Sequence, residues 1–548
     1  MSEKELPDFK FRPNDNLGDP DAAQDKSYLA DCFVDPGALE VLRDCEATPR
    51  IILGRTGSGK TALLYKISQV EEHVTEFNPE KLSLNYISNS TILPFLFDLG
   101  LNLDLFFDLL WRHMFATELI KKRYDIHDTR QQQNALNALL GRFERDETKR
   151  KALDYLRRWG DKFWLDADER AKQLTERLEK AIELTGNVSG HPLSISSLRA
   201  AMSKSTEAKS EIVQRCQYVL NSVQANDLAG IVELVAACLD DEQQKYFVLV
   251  DGLDDDWVDN AYKTALIRGL VRSVRAFTKV RSAKVIVALR YDLLARIFTD
   301  DNLTAQREKF ENLFYELHWS RGSLVAAIDE RSNKLVMSRY SRSKKVTHKE
   351  IMVGSIGKRG RGPSALDYMI DRTLMRPRDL ISFFNICIKE AGAVPIITAD
   401  TIRGAEREYS RQRLAALEWE WKMHFPNLIT TARAVLAGRL AFFSVVDIYE
   451  EQCIDIAQKI LAESERTDVL SEAAEHYDKD GDYLAFKRRV VWILYEVGII
   501  GLKMSKSMPT EYVMDGATRV SEHEIAEETR IAIHKCFWRA LGTREVEV

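Results

Sequence analysis

Residues 51–61 read IILGRTGSGKT, an apolar run that leads into a loop of the form GxxxxGK[ST]. Glycines at Gly54, Gly57 and Gly59 let a backbone curl so that the amides of Gly54, Arg55, Thr56, Gly57, Ser58 and Gly59 point at phosphate oxygens. Lys60 then reaches the β and γ phosphates, and the Thr61 hydroxyl serves as a ligand to Mg²⁺. The following residues, Ala62-Leu63-Leu64-Tyr65-Lys66-Ile67, suit a helix whose positive dipole end adds to the anion site. The bland alternative is a glycine-rich turn between strand and helix with no ligand. The strand-loop-helix context favours phosphate, and the expected cofactors are ATP and Mg²⁺.

A second acidic centre lies far downstream, where Tyr246-Phe247-Val248-Leu249-Val250 ends in Asp251. Continuous apolar character predicts a buried parallel strand, and an acid at its carboxyl end is placed to hold Mg²⁺ through water. The acids continue through Asp254, Asp255 and Asp256, of which Asp254 or Asp255 is expected to position or deprotonate the attacking water. Acids gathered at a helix N-terminus for the macrodipole would explain one or two of them without catalysis.

Two arginines complete the candidate set. Residues 284–290 form another buried strand ending in Arg290, which would sense the γ-phosphate from the ligand crevice or simply pair with Asp292 or a neighbouring acid. Pro377 predicts a helix start, which puts Arg378, and less directly Arg376, at a lid-helix N-terminus over bound nucleotide. A surface pair between an arginine and an aspartate is the alternative.

The elements that must position these residues follow from the rest of the chain. Residues 1–27 read as a flexible N-terminal segment. An α/β phosphate-binding-loop NTPase core with a parallel sheet is expected over 28–89 and 226–330, including a strand at 81–87. Residues 90–225 read as a large helical insertion; its Phe95, Phe97, Phe106, Phe107, Trp111 and Trp164 are core or, less favoured, a base-stacking platform. Within it, apolar positions recur at helical steps over 168–184. Residues 331–430 read as a basic loop followed by a helical lid, and 431–548 as a helical, winged-helix-like module. In that module helix 486–495 leads into a strand-turn-strand and a last helix around 531–540.

Net charge of −6 over 548 residues argues against wholesale coating of nucleic acid, and 45% apolar residues allow large cores. A local patch stands against that average: 331–361 carries ten Lys or Arg and one acid, Glu350. It would take up phosphates of nucleic acid, sit solvated, or meet an acidic partner. Lys487, Arg488 and Arg489 offer a second basic group. Seven scattered cysteines without metal spacing fit thiols in a reducing cytoplasm. No membrane span or secretory leader is expected.

Taken together, 54–61, 248–255 with its DGLDD ending, 285–292 with its LRYD ending and 376–380 resemble a signalling-type ATPase. The order is similar to that of STAND and AAA+ proteins, and most similar to bacterial ATPases associated with antiviral defence loci. Segments 494–501 and 531–541 also resemble the C-terminal end of that family. The resemblance implies ATP binding with slow or regulated hydrolysis, homo-oligomers controlled by nucleotide, and a separate effector protein. The sequence carries no recognisable nuclease, TIR, protease or repeat-sensor domain, no LSGGQ-like signature and no NKxD motif, which favours ATP over GTP. A DNA-dependent motor or loader, and a nucleotide-bound scaffold without turnover, are the competing expectations.

Overall fold

The computed structural model describes residues 10–77, 92–98, 100–126, 138–143, 145–160, 166–183, 206–223, 229–241, 243–255, 260–297, 308–340, 345–357, 362–422, 424–463, 468–515 and 520–545. The chain divides into two compact units, one of Gly37–Arg55 with Lys60–Leu317, the other of Met1–Pro36, Thr56–Gly59 and His318–Val548.

The first unit is α/β. Strands β1 (Ile51–Leu53), β2 (His73–Phe77), β3 (Tyr246–Val250), β4 (Ala283–Leu289) and β5 (Phe314–Glu316) form one sheet in the order β2-β3-β4-β1-β5. Every pairing is parallel, with Ile51 opposite Val287 and Val248 opposite Val285. The central strands β3 and β4 are buried along their whole length, as their unbroken apolar runs require. Lys284 is the exception in β4: its ammonium is fully buried and donates to the carbonyls of Val41, Asp44 and Ala47. The expected strand at 81–87 lies outside the described residues. On the side of β3 away from β4 runs β2, whose half-exposed sequence His73-Val74-Thr75-Glu76-Phe77 carries only a weak pattern.

The expected insertion is helical where it is described, but it does not form a core of its own. The helix Asp104–Tyr124 packs along Asn260–Ala276, and Phe106, Phe107, Trp111 and Phe115 belong to the same apolar cluster as β3 and β4. These aromatics, like Phe95, are therefore core and not a stacking platform, whereas Phe97 is exposed at 40%; Trp164 lies outside the described residues. The approach is close enough that a Cβ on Gly269 would sit 2.8 Å from the Asp108 amide nitrogen, so this position accepts only glycine. Trp111 Nε1 donates to Leu266 O, Ser273 to the Asp108 carboxylate, and Asp104 meets Arg268 and Arg272.

The second unit is helical with a small antiparallel sheet. Its helices include Arg321–Arg339, Pro377–Ala391, Ala399–Trp421, Leu428–Leu436, Glu450–Glu463, Val469–Asp480 and Tyr483–Glu496. Ser320 caps the first of them by accepting from Ser323 N, and Pro377 opens the second as expected. Phe383 stacks on Tyr409 with ring centroids 4.7 Å apart, joining Pro377–Ala391 to Ala399–Trp421.

Two expectations are corrected here. Residues 10–27 are not loosely held: Phe11 and Leu17 are buried, Leu17 N donates to the Asn385 side chain, and buried Asp25 pairs with Arg331. The segment's polar composition conceals two core anchors and two acids, Asp15 and Asp25, that serve as counter-ions. The described part of the basic run is likewise no open loop. Residues 331–339 complete a helix, and Arg331, Lys334, Arg339 and Lys345 pair with Asp25, Asp31, Asp15 and Glu330. Residues 341–344 and 358–361 of the run lie outside the described residues.

The C-terminal order also differs in detail. Strands β6 (Phe442–Ser444), β7 (Ile500–Lys503) and β8 (Arg530–Ile533) form an antiparallel sheet in the order β6-β8-β7. The return expected at 511–514 is a single bridge between Leu502 and Glu511, and 531–533, expected to be helix, are strand. Only Trp538–Leu541 of the last helix forms. Lys487 is buried against Glu527 and Arg489 pairs with Glu522, so two of the three basic residues are engaged with acids.

Candidate functional site

Because β1, β3 and β4 are parallel, the chain leaves all three at the same edge of the sheet, where α/β folds place ligands. Gly54 follows β1, Asp251 follows β3 and Arg290 follows β4, and Gly54 N donates to Leu289 O at 3.3 Å. Sequence reading expected the arginine strand beside the loop strand, and the β1–β4 pairing makes it so.

Within this unit, Lys60 opens the helix Lys60–Val70 and its ammonium donates to the carbonyls of Gly54 (3.0 Å) and Arg55 (3.1 Å). Burial lowers its pKa to about 8, against the attraction of Asp254 and Asp251. The Thr61 hydroxyl hydrogen-bonds to Asp251, and Gly252 N donates to Asp251 Oδ1 at 3.0 Å. Burial nevertheless pushes the Asp251 carboxyl up. A half-buried carboxylate in contact with a hydroxyl is a pair of hard oxygen donors, a combination that would suit Mg²⁺ better than a softer metal. Among the described residues no group of three or more His, Cys, Asp or Glu could hold a metal by itself.

The two acids proposed for water differ in their surroundings. Asp254 is 40% exposed and accepts from Arg290 at 3.4 Å, while Arg290 also donates to Asp292 at 2.8 Å. Arg290 thus makes the pairs with Asp292 and a neighbouring acid that one of its two readings expected. Asp255 is exposed, and the carbonyls of Asp254 and Asp255 both accept from Lys263 Nζ, at 3.0 and 2.8 Å, which fixes the turn after Asp251. Asp256 lies outside the described residues.

Loop residues Thr56–Gly59 belong to the second unit, and their partners there are well defined. Gly57 and Gly59 have φ of +77° and +95°, left-handed values that favour glycine. A Cβ on Gly57 would also lie 2.7 Å from Arg378 Cβ. Arg376 Nη1 donates to Thr56 O and Trp319 Nε1 to Ser58 O, each at 2.7 Å, and Arg378 N approaches Gly57 O at 3.5 Å.

The arginine assignment is therefore corrected. Arg378 lays its stem against Gly57 but sends its guanidinium to Pro20 O (3.1 Å) and Asp21 (3.3 Å), the surface pairing that was the alternative reading. Arg376, the secondary choice, is the side chain that meets the loop. It is 3% exposed and held by Asp379 (3.0 Å) and Glu420 (3.6 Å), both of which also bind Arg413 (3.2 and 2.9 Å). Burial works against the charge on Asp379, yet Arg376 and Arg413 hold its carboxyl below the usual range. The Arg376/Asp379 spacing at a helix N-terminus was a signal for this cluster. Trp319 had none, since a lone tryptophan before a helix reads as core.

Residues 322–418 match the FunZ-associated C-terminal helical domain, a stretch that takes in Arg376, Asp379 and Arg413. No curated protein matches the sequence. No described helix is long and apolar enough to cross a membrane.

Proposed function

We propose that this chain is a Mg²⁺-dependent ATP-binding and ATP-hydrolysing regulatory switch. The observation that carries the reading is the grouping of Lys60, Thr61 and Asp251 at the carboxyl edge of a parallel sheet, on a GxxxxGK[ST] loop. In it the amides of 54–61 cradle the phosphates, Lys60 exchanges its two carbonyl partners for phosphate oxygens, and Thr61 and Asp251 hold the metal. Bound Mg²⁺ supplies charge neutralisation at the β and γ phosphates. Asp254 or Asp255 orients water, and Arg290 reaches the γ-phosphate by leaving Asp254, a contact that is long at 3.4 Å. The further proposals are STAND or AAA+ kinship, a winged-helix-like C-terminal module, homo-oligomers, a cytoplasmic setting and a separate effector. The FunZ-associated domain is in keeping with a defence-associated locus. The motor or loader reading draws no support from the basic run, whose described cations named above face acids.

The deciding experiment is equilibrium binding of ATP with Mg²⁺ to the full chain and to Lys60→Ala. Loss of one charge-assisted contact is expected to weaken binding by about 10- to 100-fold. Equal binding by the two proteins would sink the reading.

A pH series gives a second check. Phosphate contact raises the pKa of Lys60 above its free value of about 8, so binding is level below that pH. Above it the free lysine must take up a proton to bind, and affinity falls by up to about tenfold per pH unit. Titrations between pH 7 and 9.5 measure this. A flat profile for the wild type, or the same slope in Lys60→Ala, would assign the dependence elsewhere.

A further inference from the structure

A loop that turns consecutive amides toward an anion turns the attached carbonyls the other way, and buried carbonyls need donors of their own. Here three consecutive ones, those of Thr56, Gly57 and Ser58, are met by Arg376 Nη1, Arg378 N and Trp319 Nε1. The two 2.7 Å contacts are short, well-formed bonds, whereas the 3.5 Å one is weak. The hydroxyls of Thr56 and Ser58 are buried without a partner, so these loop residues are gripped by their main chain and not by their side chains.

Both strong donors stand where helices begin. Trp319 precedes Ser320, the cap of Arg321–Arg339, and its ring lies 3.5 Å from the position a Cβ would take on Gly59. Arg376 is the N-cap residue of Pro377–Ala391, and its Nη2 is buried with no partner. Its other nitrogens are aimed by Asp379 and Glu420, acids that are themselves shared with Arg413. The guanidinium thus cannot swing freely, and the Thr56 carbonyl is fixed relative to Pro377–Ala391.

We infer that Trp319 and Arg376 are positioning residues that pre-shape the phosphate-facing backbone of 56–59, and that occupancy of this loop is read out at the start of Pro377–Ala391. The inference rests on the ATP reading above. It assigns the regulatory output to a segment inside the FunZ-associated match.

The test uses the full chain, with MgATP as the probe. Trp319→Phe keeps the ring and removes only the donor. Arg376→Lys keeps a charge for Asp379 and Glu420, but its single nitrogen cannot stand at both the Nε position that meets Asp379 and the Nη1 position that meets Thr56 O. Each is expected to weaken MgATP binding by about 3- to 10-fold, the share of one hydrogen bond. Hydrogen exchange adds a readout that a purely structural role would not move: MgATP should protect amides of 374–380 in the wild type, and this protection should fall in both variants. Wild-type affinity and unchanged protection in both variants, with binding lost in Lys60→Ala, would overturn the inference and leave the ATP reading standing. Absence of MgATP binding by the wild type would overturn both. Should one variant fail to fold, the other variant and the wild-type exchange pattern decide, and lack of protection at 374–380 counts against the inference.

Discussion

Asp379→Ala should cost the second unit about 3–5 kcal/mol of stability, the usual penalty for breaking a buried ion pair from one side. Asp379 is 1% exposed and lies between two guanidiniums, Arg376 at 3.0 Å and Arg413 at 3.2 Å, while also accepting from Leu374 N. Its removal leaves both cations to share Glu420, and the helix Pro377–Ala391 loses the acid of its first turn. Chemical denaturation of the full chain measures the loss. A change below about 1 kcal/mol would mean that water or a rearranged Glu420 replaces the carboxylate. The pH dependence carries a sign as well. The folded-state pKa of Asp379 is depressed, so its contribution is present above the unfolded carboxyl value and is lost as pH falls through the folded one. The gap between wild type and variant should therefore narrow only in acid below about pH 4.

Asp251→Asn is expected to lower ATP hydrolysis by about 100- to 1,000-fold, the scale on which one electrostatic group in a buried site acts. Asparagine preserves the shape and the hydrogen bonds with Thr61 and Gly252, but it removes the charge proposed to face Mg²⁺. Nucleotide affinity with Mg²⁺ chelated should be unchanged, because the phosphates still meet Lys60 and the loop amides. Folding stability should hold or rise slightly, since burial already disfavours the Asp251 carboxylate. Phosphate release under single-turnover conditions gives the rate. An unaltered rate in the variant would remove Asp251 from the chemistry, and a wild type that binds ATP without releasing phosphate would establish the scaffold alternative.

Much of the α/β unit could be read locally. The runs at 51–53, 246–250 and 285–289 are continuous apolar segments that only a buried strand accommodates, and β1, β3 and β4 occupy those places. The edge strands were not legible in the same way. β2 is half exposed and β5 has three residues, so neither imposes a pattern strong enough to stand out from its flanks. Where the helices of 90–225 pack was not legible for a related reason. Its apolar faces are evident in the sequence, but nothing local says that Phe107 and Trp111 face Asn260–Ala276 and the sheet, rather than one another.

The sequence by itself determined the chemistry on offer: a glycine-rich loop with Lys60 and Thr61, an acid at Asp251, and arginines at the ends of two later elements. Those features depend on residue type and short spacing, which need no tertiary information. Only the tertiary structure decided which charge meets which. Arg376 reaches Thr56 across 320 residues, Arg331 reaches Asp25 across 306, and Arg378 turns to Asp21 while its neighbour takes the loop. An arginine's partner is set by the last few ångströms of packing, and two arginines separated by one proline residue look alike until the fold points their side chains in different directions.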